Sequence, residues 1–254
     1  MANSYFQFKQ FMVHQDKCAM KVTTDGCLFG AYAAAWLLSN WVNKSLDLDG
    51  EIASLNVLDI GAGTGLLSLM LAQKNTTALI DAVEIDANAA AQAKENFDAS
   101  PWKNYLSVYH SSIQDFITPN NKKYDVIISN PPFYEQQLKG DNQLKNLAHH
   151  SAGLTLAELF SSVQQLIKKN GFFILLLPFY RTDEAIKIAH YFQLFLQEKI
   201  LVQQTPKHDY FRSMLIFSTT ENPEIKEEII LIKNDKNEYS TRFQELLKDY
   251  YLNV

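Results

Sequence analysis

Hydrophobic and polar positions alternate in blocks along most of the chain. Apolar runs at 55–60, 79–85, 106–110 and 124–129 have strand length, and helical patterns at 66–73 and in the alanine-rich stretch after Asp86 lie between them. Strands alternating with helices predict an α/β fold around a doubly wound, mostly parallel sheet. Further on, 154–169 reads as an amphipathic helix ended by Gly171, 172–177 as a fifth buried strand and 182–195 as another helix. The runs 200–205 and 214–219, joined by 206–213, predict an antiparallel pair, with one more short strand at 229–232 and a terminal helix ending near Tyr251. Upstream, Tyr5, Phe6, Phe8 and Phe11 alternate with Gln7, Lys9 and Gln10, which fits a short strand or strand pair. A turn at 23–26 then leads into a helix over 27–42, with Thr24 or Asp25 as its cap, and a polar loop follows at 43–54.

Composition narrows the class. A chain of 254 residues with 47% hydrophobic content can bury one α/β unit with an appendage. We expect a single domain, with 1–45 as an N-terminal segment that can cover a ligand, 46–220 as the core and 221–254 as a C-terminal extension. A formal charge of −5 argues against indiscriminate nucleic-acid binding through bulk electrostatics. Cys18 and Cys27 lack zinc-site spacing and companions, so both read as buried thiols and no metal is expected. No apolar run of membrane-spanning length and no signal pattern stand out, which makes the cytoplasm the expected location.

Chemistry concentrates at three strand ends. The first strand runs into Asp59-Ile60-Gly61-Ala62-Gly63-Thr64-Gly65, a turn that lets backbone approach a ligand closely. A dinucleotide fingerprint would need glycine where Leu66 stands. Glu84, closing the second strand, is placed to accept from two ribose hydroxyls, and Asp86 to cap the next helix. After the third strand, Asp115 can accept from an adenine amine and Phe116 can flank its ring, although a plain helix start fits the same residues. The fourth strand ends in Asn130-Pro131-Pro132-Phe133. Each proline fixes its own φ and holds the preceding residue extended. The Asn130 side-chain oxygen and the Pro131 carbonyl can then accept both hydrogens of one exocyclic amine while Phe133 offers a stacking face.

The glycine turn D-x-G-x-G-x-G resembles motif I of class I S-adenosylmethionine-dependent methyltransferases. With the acidic end of strand two and N-P-P-F after strand four, the order resembles methyltransferases acting on exocyclic amines of adenine or guanine, or on glutamine amides. More narrowly, Phe8-Lys9-Gln10-Phe11, 17–22, Thr24-Asp25-Gly26 and the ending Tyr250-Tyr251-Leu252 look like the bacterial tRNA(Val) adenine N6-methyltransferases. The likeness runs nearly end to end. It implies a seven-stranded methyltransferase sheet with an antiparallel seventh strand, S-adenosylmethionine as methyl donor, and tRNA methylated at adenine 37 beside the anticodon. It also implies that Thr24, Asp25, Asp59, Gly61, Gly63, Gly65, Glu84, Asp115, Phe116 and Asn130 hold the cofactor, while Asn130, Pro131 and Phe133 act on the amine.

RNA contacts are less sharply marked. Lys21 in the N-terminal arm, His149, and Arg212 with Lys207 and His208 in the 206–213 connection are candidates. Members of the resembled family read Ala-Arg shortly after the clamp, whereas this chain has Ala148-His149, so a neutral histidine would weaken a phosphate contact there. The loop 134–153 reads as a lid over the target base. The same clamp would suit a ribosomal RNA amine or a protein glutamine. A non-catalytic cofactor-binding module is the reading of a different class, and the intact Asn130 clamp disfavours it.

Overall fold

A computed structural model describes residues 3–41, 54–118, 122–132 and 154–253. In chain order the elements are β1 (Tyr5–Gln7), β2 (Met12–His14), α1 (Thr24–Trp41), β3 (Asn56–Ile60), α2 (Leu66–Lys74), β4 (Leu79–Glu84), α3 (Ala87–Asp98), β5 (Leu106–His110), α4 (Ile113–Ile117) and β6 (Tyr124–Ser129). There follow α5 (Leu156–Leu166), β7 (Ile167–Pro178), a 3-10 turn (Phe179–Arg181), α6 (Thr182–Tyr191), β8 (Phe195–Gln203), β9 (Tyr210–Ser218), β10 (Lys226–Leu231) and α7 (Thr241–Leu247).

The main sheet has the order β10-β8-β9-β7-β6-β3-β4-β5, with β9 alone antiparallel to its neighbours. The seven expected strands are all in it, and β10 adds an eighth, parallel to β8. Period-two alternation divides the strand residues between two cores. Val57, Val126, Ile128, Ile174 and Leu176 meet α1, α2 and α7, while Leu58, Ile127, Phe173, Leu175 and Leu177 meet α4, α5 and α6. Helices on both faces explain why these strands are apolar throughout.

Several boundaries differ from the sequence expectation, each for a local reason. The first helix begins three residues early because Thr23, rather than Thr24 or Asp25, caps it: its Oγ1 accepts from the Gly26 N–H at 3.2 Å. The helix expected over 154–169 stops at Leu166, and the chain enters β7 directly. Gly171 marks a bulge there instead of a helix end. Ile167 pairs with Tyr124 but Phe172 with Val126, and Asn170 between them takes φ 62°. A Cβ on Gly171 would lie 2.7 Å from Ile167 Cγ1 and 2.9 Å from the Lys168 carbonyl. Both strands of the antiparallel pair are longer than expected, since Gln197, Glu198 and Lys199 hide the start of β8 from a hydrophobicity count. The last helix ends at Leu247, short of Tyr251.

The chain ends are fastened to the core. Phe8 stacks on Phe11 with centroids 4.5 Å apart, Tyr251 meets both Phe6 and Phe8, and the Tyr250 hydroxyl donates to the Met70 carbonyl at 2.9 Å. Asn96, on α3, is the central polar tie of the N-terminal hairpin. Its Oδ1 accepts from the His14 N–H, and its Nδ2 donates to the carbonyls of His14 and Thr64, all at 2.9 Å. One buried amide thus serves β2 as a substitute strand neighbour and holds the turn before α2. Asn96→Ala leaves those groups without partners and should cost about 2–3 kcal/mol. Thermal melting and limited proteolysis test this: a fall of several degrees with early cleavage in the 3–22 arm is expected, and a change within about 1 °C would contradict it.

Candidate active site

The site forms where β3, β4 and β6 end side by side at the carboxyl edge of the sheet. Gly61, Gly63 and Gly65 take φ of 75°, 54° and 79°, all in the left-handed region that penalises a Cβ. Their surroundings differ. A Cβ on Gly65 would sit 2.4 Å from the Phe97 ring, so this glycine lets α2 pack on α3. Nothing lies within 4 Å of the Cβ positions of Gly61 and Gly63, which open on free space. Gly61 and Ala62 both donate to the Val83 carbonyl, at 2.9 and 3.2 Å, which stitches the turn to the end of β4.

Glu84 completes the stitching. Its Oε2 accepts from the Gly63 N–H at 2.8 Å and its Oε1 from the Asp86 N–H at 2.9 Å. A carboxylate has about four acceptor positions, so two remain for a ligand. Asp86 caps α3 as expected, accepting from the Ala89 N–H at 2.8 Å. The Ser111 N–H reaches the Glu84 carbonyl at 3.0 Å, bringing the start of α4 to the same place. There Asp115 and Ser112 cap each other's groups: the Ser112 hydroxyl donates to Asp115 Oδ2 at 2.7 Å and accepts from the Asp115 N–H at 3.0 Å. Phe116 does not face the opening. It is buried in the core against Tyr109, at 5.1 Å between centroids. The exposed apolar surface at this spot is Ile85, 69% exposed between Glu84 and Asp86, which sequence reasoning passed over. An isoleucine flanked by two acids just past a strand end was the available signal.

Beneath the turn, Asp59 is wholly buried. Its Oδ2 accepts from the Ser68 hydroxyl at 2.8 Å, and its Oδ1 has no partner among the described residues. Burial pushes this carboxyl up to about 7, against the hydrogen bonds from Ser68. An unsatisfied acceptor below a glycine turn with open Cβ positions suits a ligand bearing a cationic amine. The residues present therefore fit S-adenosylmethionine.

The Ser129 hydroxyl donates to the Ile60 carbonyl at 2.8 Å, fixing the end of β6 beside the glycine turn. Asn130 follows, half-buried, with no hydrogen bond to its side-chain amide among the described residues. Pro131 is buried and Pro132 exposed. The first turn of α1 closes the same corner, since a Cβ on Gly26 would lie 3.9 Å from Asn130 Nδ2. Phe133 and His149 lie outside the described residues, as does the 134–153 loop.

Two of the expected RNA-contacting cations are already engaged. Arg212 Nε donates to Asp25 Oδ2 at 2.7 Å, so an expected cofactor residue and an expected RNA residue pair with each other. Lys21 donates to the carbonyls of Gln15 and Cys18, closing the loop after β2. Thr24 is exposed on the first turn of α1. Among the described residues no cluster of His, Cys, Asp and Glu could hold a metal ion, and no helix is long and apolar enough to cross a membrane.

The sheet order with its antiparallel β9, the glycine turn and the acid at the end of β4 define a class I methyltransferase fold of the S-adenosylmethionine-dependent kind. A solved Agrobacterium tumefaciens protein described as a predicted O-methyltransferase superposes with TM-score 0.63 at 13% identity, over 90% of this chain and 99% of its own. The family model for the methyltransferase small domain matches residues 33–155. A Dyadobacter fermentans tRNA1(Val) (adenine(37)-N6)-methyltransferase is 42% identical over 98% of both chains, and one from Pseudoalteromonas translucida is 41% identical over 99% of this chain and 100% of its own. The chain belongs to the tRNA1(Val) (adenine(37)-N6)-methyltransferase family.

Asp59 gives the site a titratable signature. An unfolded aspartate titrates near 3.9, so between about pH 4 and 7 the folded chain holds a proton that the unfolded chain has lost. The stability from this group is complete below about pH 4 and is lost as pH rises through about 7. Asp59→Asn keeps an acceptor for Ser68 and removes the titration. In the absence of cofactor, the melting temperature of the unsubstituted chain should fall by several degrees relative to Asp59→Asn between about pH 5 and pH 8.5. Parallel melting curves for the two across that range would refute the assignment.

Proposed function

We propose that this chain transfers a methyl group from S-adenosylmethionine to the N6 amine of adenine 37 in the anticodon loop of tRNA(Val). The observation that carries this reading is the side-chain amide of Asn130, which has no hydrogen-bond partner among the described residues and stands just past the end of β6, beside the open glycine turn. The family relationship supplies the substrate, since its named relatives are tRNA adenine-N6 methyltransferases.

Bound at the turn, the cofactor supplies an electrophilic methyl group on a sulfonium. Gly61 and Gly63 would let it approach the backbone, Glu84 would accept from its ribose hydroxyls and Asp115 from its adenine amine, with Ile85 as the exposed apolar surface beside them. Asp59, wholly buried beneath the turn, would favour the cationic amine end through its charge. The N-terminal arm through the first turn of α1, with Thr24 and Asp25, covers the pocket.

Chemistry at the target base depends on positioning. An adenine N6 lone pair is delocalised into the ring and is a poor nucleophile. With Asn130 Oδ1 and the Pro131 carbonyl each accepting one N6 hydrogen, the nitrogen is favoured in a more pyramidal form whose lone pair is withdrawn from conjugation with the ring and directed at the methyl group. After transfer the nitrogen is strongly acidic and sheds a proton to solvent, so no side chain with a pKa near 7 has to act as base. Unstacking the adenine costs a few kcal/mol, and stacking on Phe133 returns about 1–3 kcal/mol.

The test is methyl transfer from radiolabelled S-adenosylmethionine to total RNA and to total protein from a strain lacking the gene. Label should enter tRNA, digest to N6-methyladenosine, and form about 100-fold more slowly with Asn130→Ala, whose melting temperature stays close to the parent's. Label in protein, or cofactor binding with no transfer to tRNA, would overturn the reading.

A further inference from the structure

The sheet carries an aromatic ledge beside the Asn130 corner that the chemistry above does not use. β7 pairs with β6 so that Leu175 stands level with Ser129, and β7 then continues through Pro178 to Phe179. β7 therefore runs three residues, Leu176, Leu177 and Pro178, beyond the end of β6 at Ser129, or roughly 10 Å at strand spacing. β9 follows it on the far side, with Arg212 opposite Pro178 and Tyr210 beyond. At this raised edge Phe179 is 37% exposed and Tyr180 68% exposed. The Phe179 and Tyr210 rings pack at 5.2 Å with a tilt of 53°.

Rings raised on a sheet edge are held apart from solvent-driven collapse only by the elements beneath them. Here the support is firm. Pro178 is buried, the Thr182 hydroxyl contacts Ser213 Oγ at 2.6 Å, and the Arg212–Asp25 ion pair ties β9 to the first turn of α1. The arginines near the ledge are paired, and the carboxylates of Asp183 and Asp209 are exposed beside it. Arg181 forms a bidentate pair with Glu184 at 2.8 Å, and His208 is bonded to Thr205, which leaves Lys207 as an exposed cation without an ion-pair partner among the described residues.

We propose that Phe179, Tyr180 and Tyr210 form a stacking platform for the unpaired nucleotides flanking the target adenine. The inference rests on the tRNA reading above and deepens it. A base held at Asn130, the residue after Ser129, lies within about three nucleotides of the ledge, because the ~10 Å that β7 runs past Ser129 is about three steps at the ~3.4 Å rise of a stacked strand. Aromatic faces bind any base and need no positive charge. That answers how a chain of formal charge −5 can grip a polyanion. The ledge would supply loop affinity by stacking, with Lys207 as the exposed cation near it among the described residues.

The experiment measures affinity for a tRNA(Val) transcript across a salt series, with cofactor affinity, melting temperature and sedimentation recorded in parallel. Tyr180→Ala should weaken RNA binding roughly fivefold or more, raise KM for tRNA far more than it lowers kcat, and leave cofactor affinity unchanged. Tyr180→Trp should restore binding. The dependence of log Kd on log salt should be the same in Tyr180→Ala as in the parent, whereas Lys207→Ala should reduce its slope by about one. Two results would overturn the proposal while leaving the tRNA reading intact. One is a parent that methylates tRNA with Tyr180→Ala binding it equally well; the other is a substitution that alters only self-association, making the ledge an interface between copies. A parent that binds cofactor but neither binds nor methylates tRNA would overturn both.

Discussion

The carboxylate of Glu84 is the interaction on which the arrangement of the site depends. One oxygen holds the Gly63 N–H of the turn after β3, and the other holds the Asp86 N–H that starts the approach to α3. Two loops from neighbouring strands are thereby fixed to one buried side chain. Hydrogen bonds to a charged acceptor contribute about 1.5–3 kcal/mol each, more than the neutral ties nearby. The same carboxylate keeps acceptor positions for a ligand's hydroxyls, so rigidity and binding draw on one group. A glutamine could offer only one oxygen and would have to turn an N–H2 toward one of the two backbone donors.

The surrounding ties extend that frame in both directions. Ser129 brings the Asn130 corner to the glycine turn, and Asn96 brings the N-terminal hairpin to the other side of it. Asp25 and Arg212 close the ring by joining α1 to β9, two elements 187 residues apart in sequence. Because both partners of that pair are partly exposed, it sets geometry more than it adds stability. Its consequence is chemical. An arginine held by a carboxylate is a poor partner for phosphate, so an assignment made on charge alone gives way once its neighbour is known.

Which features could be read from the sequence follows from the range of the interactions behind them. The strands β3 to β6, the glycine turn and the Asp86 cap depend on neighbours within a few positions, and the chain states those directly. The β7 bulge is hidden because Lys168 and Lys169 continue a helical pattern, while Lys168 is in fact held by Asp125, whose Oδ2 accepts from it at 2.8 Å. The start of β8 was hidden by Glu198 and Lys199, which pair with Lys226 and Glu227 on β10. Phe116 fits both a ring beside a ligand and a plain helix start from sequence, since nothing local tells a buried aromatic from an exposed one. Ile85 was overlooked for the converse reason.

An acidic protein that acts on RNA has to separate recognition from bulk charge. Phosphate contacts released from counterions give affinity that falls steeply with salt and is blind to which base is presented. Recognition by an amide, a carbonyl and aromatic faces has the opposite character. It acts only on bases already unstacked, which a loop offers and a duplex does not. The geometry at the carboxyl edge is suited to the second kind. Among the described residues the Asn130 side chain has no hydrogen-bond partner, the cations Lys21 and Arg212 are engaged internally, and Phe179 and Tyr180 present exposed rings on the strand beside β6. Selectivity for unstacked bases would then rest on the amide and the rings that the described part of this edge presents.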